Sequence, residues 1–155
     1  AGELQAMLPL DVAVVAASHG AHRLACEYAQ ILGAPVATIQ RDIAGDVAGR
    51  PCLLVDDMIA TGSTMISAAE AVLAAGAAPD LTVVATHAIF SEGTREKFEL
   101  IDPIRRIVVT DSVPRAEGEW MKLRVVSVAP LLADAIAMAH AGLPVQKRYK
   151  PVEVG

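Results

Sequence analysis

Aromatic side chains are scarce in this chain, with two Phe, two Tyr and one Trp among 155 residues. Hydrophobic residues nevertheless make up 54 % of it. The interior must therefore be built from Ala, Val, Leu and Ile, which suits parallel strands buried on both faces beneath helices. Cysteine is equally sparse: Cys26 and Cys52 each sit inside an apolar stretch and read as buried thiols. Neither a disulfide framework nor a cysteine metal site is expected, and a reducing, cytoplasmic setting follows. No apolar run reaches the roughly eighteen residues that span a bilayer, so no membrane association is expected. A basic segment leading into an apolar one is also missing, which argues against a signal peptide. Positive charge is short too, at 13 Lys and Arg against 18 Asp and Glu, a net −5. Nucleic-acid affinity rests on neutralising phosphates, so no nucleic-acid partner is expected. A small phosphorylated ligand stays compatible, because a few backbone amides can hold it.

What is present is an alternation of apolar runs and helical stripes. The length fits one domain with a core of its own. Short runs rich in Val, Leu and Ile at 11–17, 35–39, 52–55, 81–85, 106–109 and 124–128 read as strands, the last as a possible edge. Helical periodicity marks 21–32, closed by Gly33 as a C-cap, and the stretch from Ser63, with Met65, Ala68, Ala69, Val72, Leu73 and Ala75 on one stripe ended by Gly76. A short helix is expected at 94–100. A terminal one is expected at 130–141, with Pro130 in its first turn and Gly142 after its end. Residues 40–50 are polar and read as a loop. Strands alternating with helices predict an α/β fold, a parallel sheet of about five to six strands flanked by helices. The domain is drawn as 1–142, with 143–155 as an arm or tail. Ligands in such sheets collect at the carboxyl ends of the strands. Three polar loops fall there: Ser18-His19-Gly20, Asp56 to Thr64, and Thr86 to Ser91.

The central loop, Val55-Asp56-Asp57-Met58-Ile59-Ala60-Thr61-Gly62-Ser63-Thr64, carries the chemistry. A charge pair inside a buried strand costs several kcal/mol, so Asp56 and Asp57 are expected at its open end. Thr61, Gly62, Ser63 and Thr64 stand at a helix N-terminus, where free amides, hydroxyls and the positive dipole end favour an anion. Gly62 would let the backbone approach a phosphate closely. Vicinal hydroxyls suit the two acids and a phosphate suits the residues after Ala60. A ribose 5-phosphate satisfies both, giving Asp56, Asp57, Ala60, Thr61, Gly62, Ser63 and Thr64 as the ribose-phosphate set. N-capping alone is the competing explanation for the small residues, but it leaves the paired acids without a role.

Over these ten positions the segment resembles the phosphoribosyl-pyrophosphate (PRPP) motif of type I phosphoribosyltransferases. Within that superfamily the chain resembles the C-terminal half of ribose-phosphate pyrophosphokinases. Gly45-Asp46-Val47-Ala48-Gly49-Arg50 is similar to their approach segment. Thr86-His87-Ala88-Ile89-Phe90-Ser91 is similar to A-T-H-x-x-F-S, and residues 108–114 to V-x-T-[DN]-[ST]-[IV]-P. The resemblance implies a transferase moving pyrophosphate from ATP to ribose 5-phosphate, with Mg2+ as cofactor and a homo-oligomer as the assembly. It also implies Arg41, Asp56 and Asp57 as catalytic residues, a pyrophosphate loop at Ser18, His19, Gly20 and Arg23, and for His87 either an orienting role or contact with substrate. The two acids would meet metal through a sugar-bound ion.

Four departures stand against that pattern. Where the family's first loop reads P-D-x-G-G, this chain has Ala16-Ala17-Ser18-His19-Gly20, without the acid that would support magnesium. Gln40-Arg41-Asp42 stand where the catalytic loop opens with Lys-Arg, leaving Arg41 as the one charge for a transferring phosphoryl group. Ala60 replaces a common Asp. The residues that would correspond to the family's N-terminal half, which supplies much of the ATP site, are not in this sequence. Two readings stay open: a transferase acting in a longer or assembled form, and a PRPP- or ribose 5-phosphate-binding regulatory module with impaired turnover. A base phosphoribosyltransferase is a third, disfavoured because no separate hood for a purine or pyrimidine is visible. His19 and His22 either contact phosphate or are merely solvated, His140 is expected to be surface or core, and Trp120 a packing anchor.

Overall fold

The computed structural model describes residues 2–114 and 119–145. In chain order the elements are α1 (Gly2–Met7), β1 (Ala13–Ala16), α2 (His22–Leu32), β2 (Val36–Ile39), β3 (Ile43–Ala44) and β4 (Cys52–Ile59). There follow α3 (Ser63–Ala74), β5 (Leu81–Ala88), α4 (Thr94–Glu99), β6 (Ile104–Thr110), β7 (Leu123–Val126) and α5 (Ala129–His140). The strands form one seven-stranded sheet ordered β3-β2-β1-β4-β5-β6-β7. Every pairing is parallel except β2 with β3. From β1 the chain winds outward to β2, then returns to place β4 on the other side of β1. The winding direction thus changes between β1 and β4, the place where an open α/β sheet leaves a crevice beyond its strand ends.

Burial on both faces explains the continuous apolar runs. All four residues of β1 are buried, as are the first five of β4. One layer packs Leu54, Val83 and Ile107 against Met65, Ala68, Ala69 and Val72 of α3 and Phe98 of α4. The other packs Leu53, Val55, Val84 and Val108 against Ala25 and Ala29 of α2 and Leu4 of α1. The α3 stripe is the one its period predicts, except that Ala75 is the exposed C-cap. Gly33 closes α2 in the left-handed region, φ 65°. Trp120 anchors as expected, lying edge-on to Phe90 at 5.3 Å and tilted to Phe98 at 5.9 Å.

Several expectations need correction. The sheet has seven strands because the segment read as a loop, 40–50, folds back as the two-residue antiparallel strand β3. Gly45 makes that return possible: at φ 131° its backbone lies so close to β2 that a Cβ there would sit 2.6 Å from that of Ala37. Asp46 and Asp11 both pair with Arg50 behind the turn. The strand expected at 52–55 continues through both acids to Ile59. β5 likewise runs to Ala88, so the loop drawn at 86–91 begins inside a strand. Cys52 is buried, its thiol pushed up to about 11 by desolvation, but Cys26 is only half-buried. The helix α1, Gly2–Met7, was not anticipated from periodicity. Of the expected arm at 143–155, residues 146–155 lie outside the described residues. None of the helices is long and apolar enough to cross a membrane, among the described residues.

Candidate functional site

The acids enter the site because their strand loses one neighbour. Pairing of β1 with β4 stops at Ala16 opposite Val55, whereas pairing of β5 with β4 continues to Ile59 opposite Ala88. Beyond Val55 the β1 side of β4 is open, and the chain after β1 turns away through Ser18. Asp56 is 7 % exposed and Asp57 is exposed. The Ser18 hydroxyl donates to Asp56 Oδ1 at 3.0 Å, and the Asp57 backbone N–H donates to the same oxygen at 3.0 Å. Ser18 Oγ in turn accepts the Ala21 N–H at 3.2 Å. Ser18 therefore ties the first loop to β4.

Burial raises the Asp56 carboxyl above the usual carboxylate range; the Asp57 amide and the Ser18 hydroxyl pull it back, and the charge of Asp57 pushes it up again. A carboxyl whose folded pKa is raised binds its proton more tightly folded than unfolded. Its ionised form thus costs stability above the folded pKa, and that cost vanishes below the unfolded one. Asp56→Asn keeps an Oδ1 for both donors. It is expected to stabilise the chain at neutral pH by about 0.5–2 kcal/mol, with the gain shrinking as pH falls toward roughly 4. Denaturant titrations of both proteins at the two pH values measure it, and a variant no more stable than wild type at pH 7 contradicts the buried-charge reading.

The loop at 61–64 follows directly. Gly62 is the N-cap of α3 at φ 77°, and Thr61 Oγ1 lies 3.1 Å from Ser63 Oγ. Ser18, both acids, residues 58–62, Thr64 and Met65 line one cavity of about 290 Å³. The third polar segment supports this loop from outside: the N–H groups of Ile89 and Phe90 donate to Ile59 O at 3.0 and 3.1 Å, and Ser91 N–H to Ala60 O at 3.0 Å. Phe90 adopts φ 41° to make that turn. Gly62 has a reason beyond an approaching phosphate, since a Cβ there would meet Phe98 Cε2 at 2.7 Å. Phe98 lies 36 residues away in sequence and has no local signal that would reveal it as the loop's floor.

The remaining candidates are distributed along the same sheet edge. Ser18, His19, His22, Thr38, Ile39 and Gln40 line a hollow of about 110 Å³, and Gln40, Arg41, Asp42, Ile43 and Ala44 one of about 360 Å³. Ser18 is common to the first two hollows and Gln40 to the last two, so the three adjoin in the order β4, β1, β2. Arg41 sits at the tip of the β2–β3 turn and does not line the cavity of the acids. Arg23 points along its own helix to Glu27 at 3.0 Å, three-quarters exposed, and lines none of these hollows. Gly20 is placed with the first loop, 3.9 Å from Ser18 Oγ as measured from a Cβ built on it. His87 Nδ1 is 2.9 Å from Ser112 Oγ, within a set of hydroxyls that includes Thr110 donating to Thr86 O at 2.7 Å. That set joins β5 to β6 rather than entering the cavity. Asp111, beside it, accepts from Ser127 Oγ and the Val128 N–H, which lower its pKa and cap α5. His140 is exposed. Among the described residues no cluster of three His, Cys, Asp or Glu is arranged to hold a metal.

Three comparisons bear on the identity of this site. A family model described as "Phosphoribosyl synthetase-associated domain" matches residues 30–149. The ribose-phosphate pyrophosphokinase of Caldanaerobacter subterraneus subsp. tengcongensis is 38 % identical over 151 residues, covering 90 % of this chain and 47 % of that protein. The crystal structure of phosphoribosylpyrophosphate synthetase from Mycobacterium smegmatis superposes with a TM-score of 0.77 at 34 % identity, over 85 % of this chain and 46 % of that one. APRTase from Giardia lamblia, at 17 % identity and a TM-score of 0.51 over 81 % of this chain and 75 % of that one, shares the fold alone. The chain spans about half the length of the curated relatives it matches.

Proposed function

This chain belongs to the phosphoribosyl synthetase-associated family and corresponds to the C-terminal region of ribose-phosphate pyrophosphokinases, and on that premise we propose that its main cavity binds ribose 5-phosphate for pyrophosphate transfer. The observation that carries the reading is that two acids and a helix-N-terminal loop of small residues line one cavity, in the order a sugar diol and its phosphate require. Asp57 and the free oxygen of Asp56 accept the ribose hydroxyls. The loop 61–64 holds the 5-phosphate through amides, hydroxyls and the dipole end of α3. In the transfer, the C1 hydroxyl oxygen bonds to the β-phosphorus of ATP, the bond from that phosphorus to the α–β bridging oxygen breaks, AMP leaves, and the hydroxyl proton is released. Covalent help from the protein is not required, so positioning and electrostatics supply the acceleration. Arg41, on the β2–β3 turn beside the adjoining hollows, is the group proposed to neutralise the transferring phosphates.

Magnesium suits hard oxygen donors and retains water, and it is commonly held by one or two carboxylates plus substrate phosphates. Asp57 and the free Oδ2 of Asp56 fit such a shared ion; Asp56 Oδ1 is already taken by two donors. When bound, the ion would offset the charge of the transferred phosphates. The ATP substrate and the oligomer expected from the resemblance, and the reducing cellular setting expected from the cysteines, belong to this proposal as well.

A second reading is favoured by Ser18 in the acid's place and by Gln40 where the pattern has Lys: a sugar-phosphate-binding regulatory module with little turnover. Both readings need the same cavity. Ribose 5-phosphate at tenfold its Kd is therefore expected to stabilise the folded chain by about 1.4 kcal/mol, a melting shift of roughly 3–6 °C for a domain of this size. Free ribose should not do so. Thermal melts with each ligand test the cavity that both readings share, and an equal response to the two removes the phosphate loop from the account.

A further inference from the structure

The loop that receives the phosphate is held from behind by α4, and two side chains there have no role in the proposed reaction. Thr94 Oγ1 donates to Ala60 O at 2.9 Å, and Lys97 Nζ donates to Thr61 O at 3.4 Å. Three apart on a helix, they share a face. The two carbonyls are consecutive. None of the peptide bonds among the described residues is cis, and in a planar trans peptide the N–H points opposite to the C=O. Anchoring Ala60 O toward α4 therefore directs the Thr61 N–H away from α4, and anchoring Thr61 O does the same for the Gly62 N–H. Neither N–H has a recorded protein acceptor among the described residues. A backbone N–H left unpaired beside a cavity costs free energy until a ligand or water accepts from it.

We infer that Thr94 and Lys97 are positioning residues for the phosphate: by binding the carbonyls of Ala60 and Thr61 they turn two consecutive loop N–H groups toward the cavity. The inference rests on the phosphate-binding reading above and deepens it. Thr94, 1 % exposed, is a fixed anchor whose hydroxyl shares Ala60 O with the Ser91 N–H. Lys97 is exposed and acts differently. Its ammonium polarises the Thr61–Gly62 peptide and adds positive charge on the far side of the anion. That contribution is screened by salt, whereas the Thr94 contribution is not. Phe98, next to Lys97, packs beneath Gly62, so one turn of α4 sets three aspects of the loop: the direction of two peptides and the height of a third residue.

The test is isothermal titration of the whole chain with inorganic phosphate and with ribose 5-phosphate, at low and high salt. The proteins compared are wild type, Thr94→Val, Thr94→Ser, Lys97→Met and Lys97→Arg. Thr94→Val and Lys97→Met are expected to weaken both ligands about three- to tenfold, while Thr94→Ser and Lys97→Arg restore binding. The Lys97→Met deficit should shrink at high salt with the ligand-free melting temperature unchanged, a pattern that a merely structural role would not produce. Should Thr94→Val fail to fold, the Lys97 pair carries the test unaided. Wild-type affinity in Lys97→Met at low salt overturns the inference and leaves the phosphate site standing. A wild-type chain that binds neither ligand overturns both.

Discussion

Gly62→Ala is expected to destabilise the chain by about 2–4 kcal/mol, from a left-handed backbone conformation and overpacking together, and to remove its stabilisation by ribose 5-phosphate. Two costs coincide at this position. The residue sits at φ 77°, where an L side chain is strained, and the added carbon would meet Phe98 Cε2 at 2.7 Å. Phe98 is fully buried and packed against Trp120, which is itself held by a 2.7 Å bond from its Nε1 to Glu99, so the ring has little freedom to withdraw. Gly49→Ala is the matched control: φ is 69° there, with nothing within 4 Å of the added carbon, and only about 1 kcal/mol is expected. Denaturant melts of the two variants separate strain from crowding. Equal losses would mean that Phe98 moves aside and that the loop has no rigid floor.

The isolated 155-residue chain is expected to form PRPP from ATP and ribose 5-phosphate at a rate near background, since each missing charged group that stabilises phosphoryl transfer is worth about 10³-fold. Ala17 and Ser18 leave the first loop without a carboxylate, and the Ser18 hydroxyl occupies Asp56 rather than replacing that acid as an anion. Gln40 stands where the family pattern has Lys, leaving Arg41 as the nearby charge. His19 and His22 border the adjoining hollow, but neither lines the cavity of the acids. The matched region is also only about half of the relatives' length. AMP release with ATP, ribose 5-phosphate and magnesium measures it, on this chain and on any longer native form. Robust turnover by the isolated chain would refute the proposed roles of the first loop and of Gln40, whereas turnover by the longer form alone would identify this chain as the sugar-phosphate half of the enzyme.

Local chemistry made the central strands and the candidate loop at 55–64 legible. β1 and the first four residues of β4 are unbroken apolar runs because helices cover both faces, and the ten residues of the loop are contiguous, so their order carried the reading. What the sequence hid was set by residues distant along the chain. β4 keeps its acids inside the strand because β5 pairs past them, and opens them on the other side because β1 ends first, facts of pairing that the charges themselves do not encode. β3 exists because Gly45 can lie against Ala37. Ser18 reaches Asp56 across 38 positions, and Thr94 reaches Ala60 across 34. Other hydroxyls make bonds of their own, Ser127 to Asp111 and Thr110 to Thr86 O, so composition could not single these out. Arg23, assigned by alignment to the first loop, illustrates the converse: a glutamate one helical turn on gave it a nearer partner.

The terminal helix places the weakest structure of the described chain at one end of it. α5 is twelve residues long with none buried, and Leu131, Leu132 and Ile136 face outward. Helices of that length are marginal in water without packing, and here Asp111 ties the first turn to the sheet. Unfolding is therefore uneven. The helix can unwind in a local step at little cost while β4 and its loop stay intact, so backbone amides in α5 would exchange with solvent far sooner than those of the sheet. A melting curve read from total helicity and one read from ligand binding should accordingly not coincide for this chain.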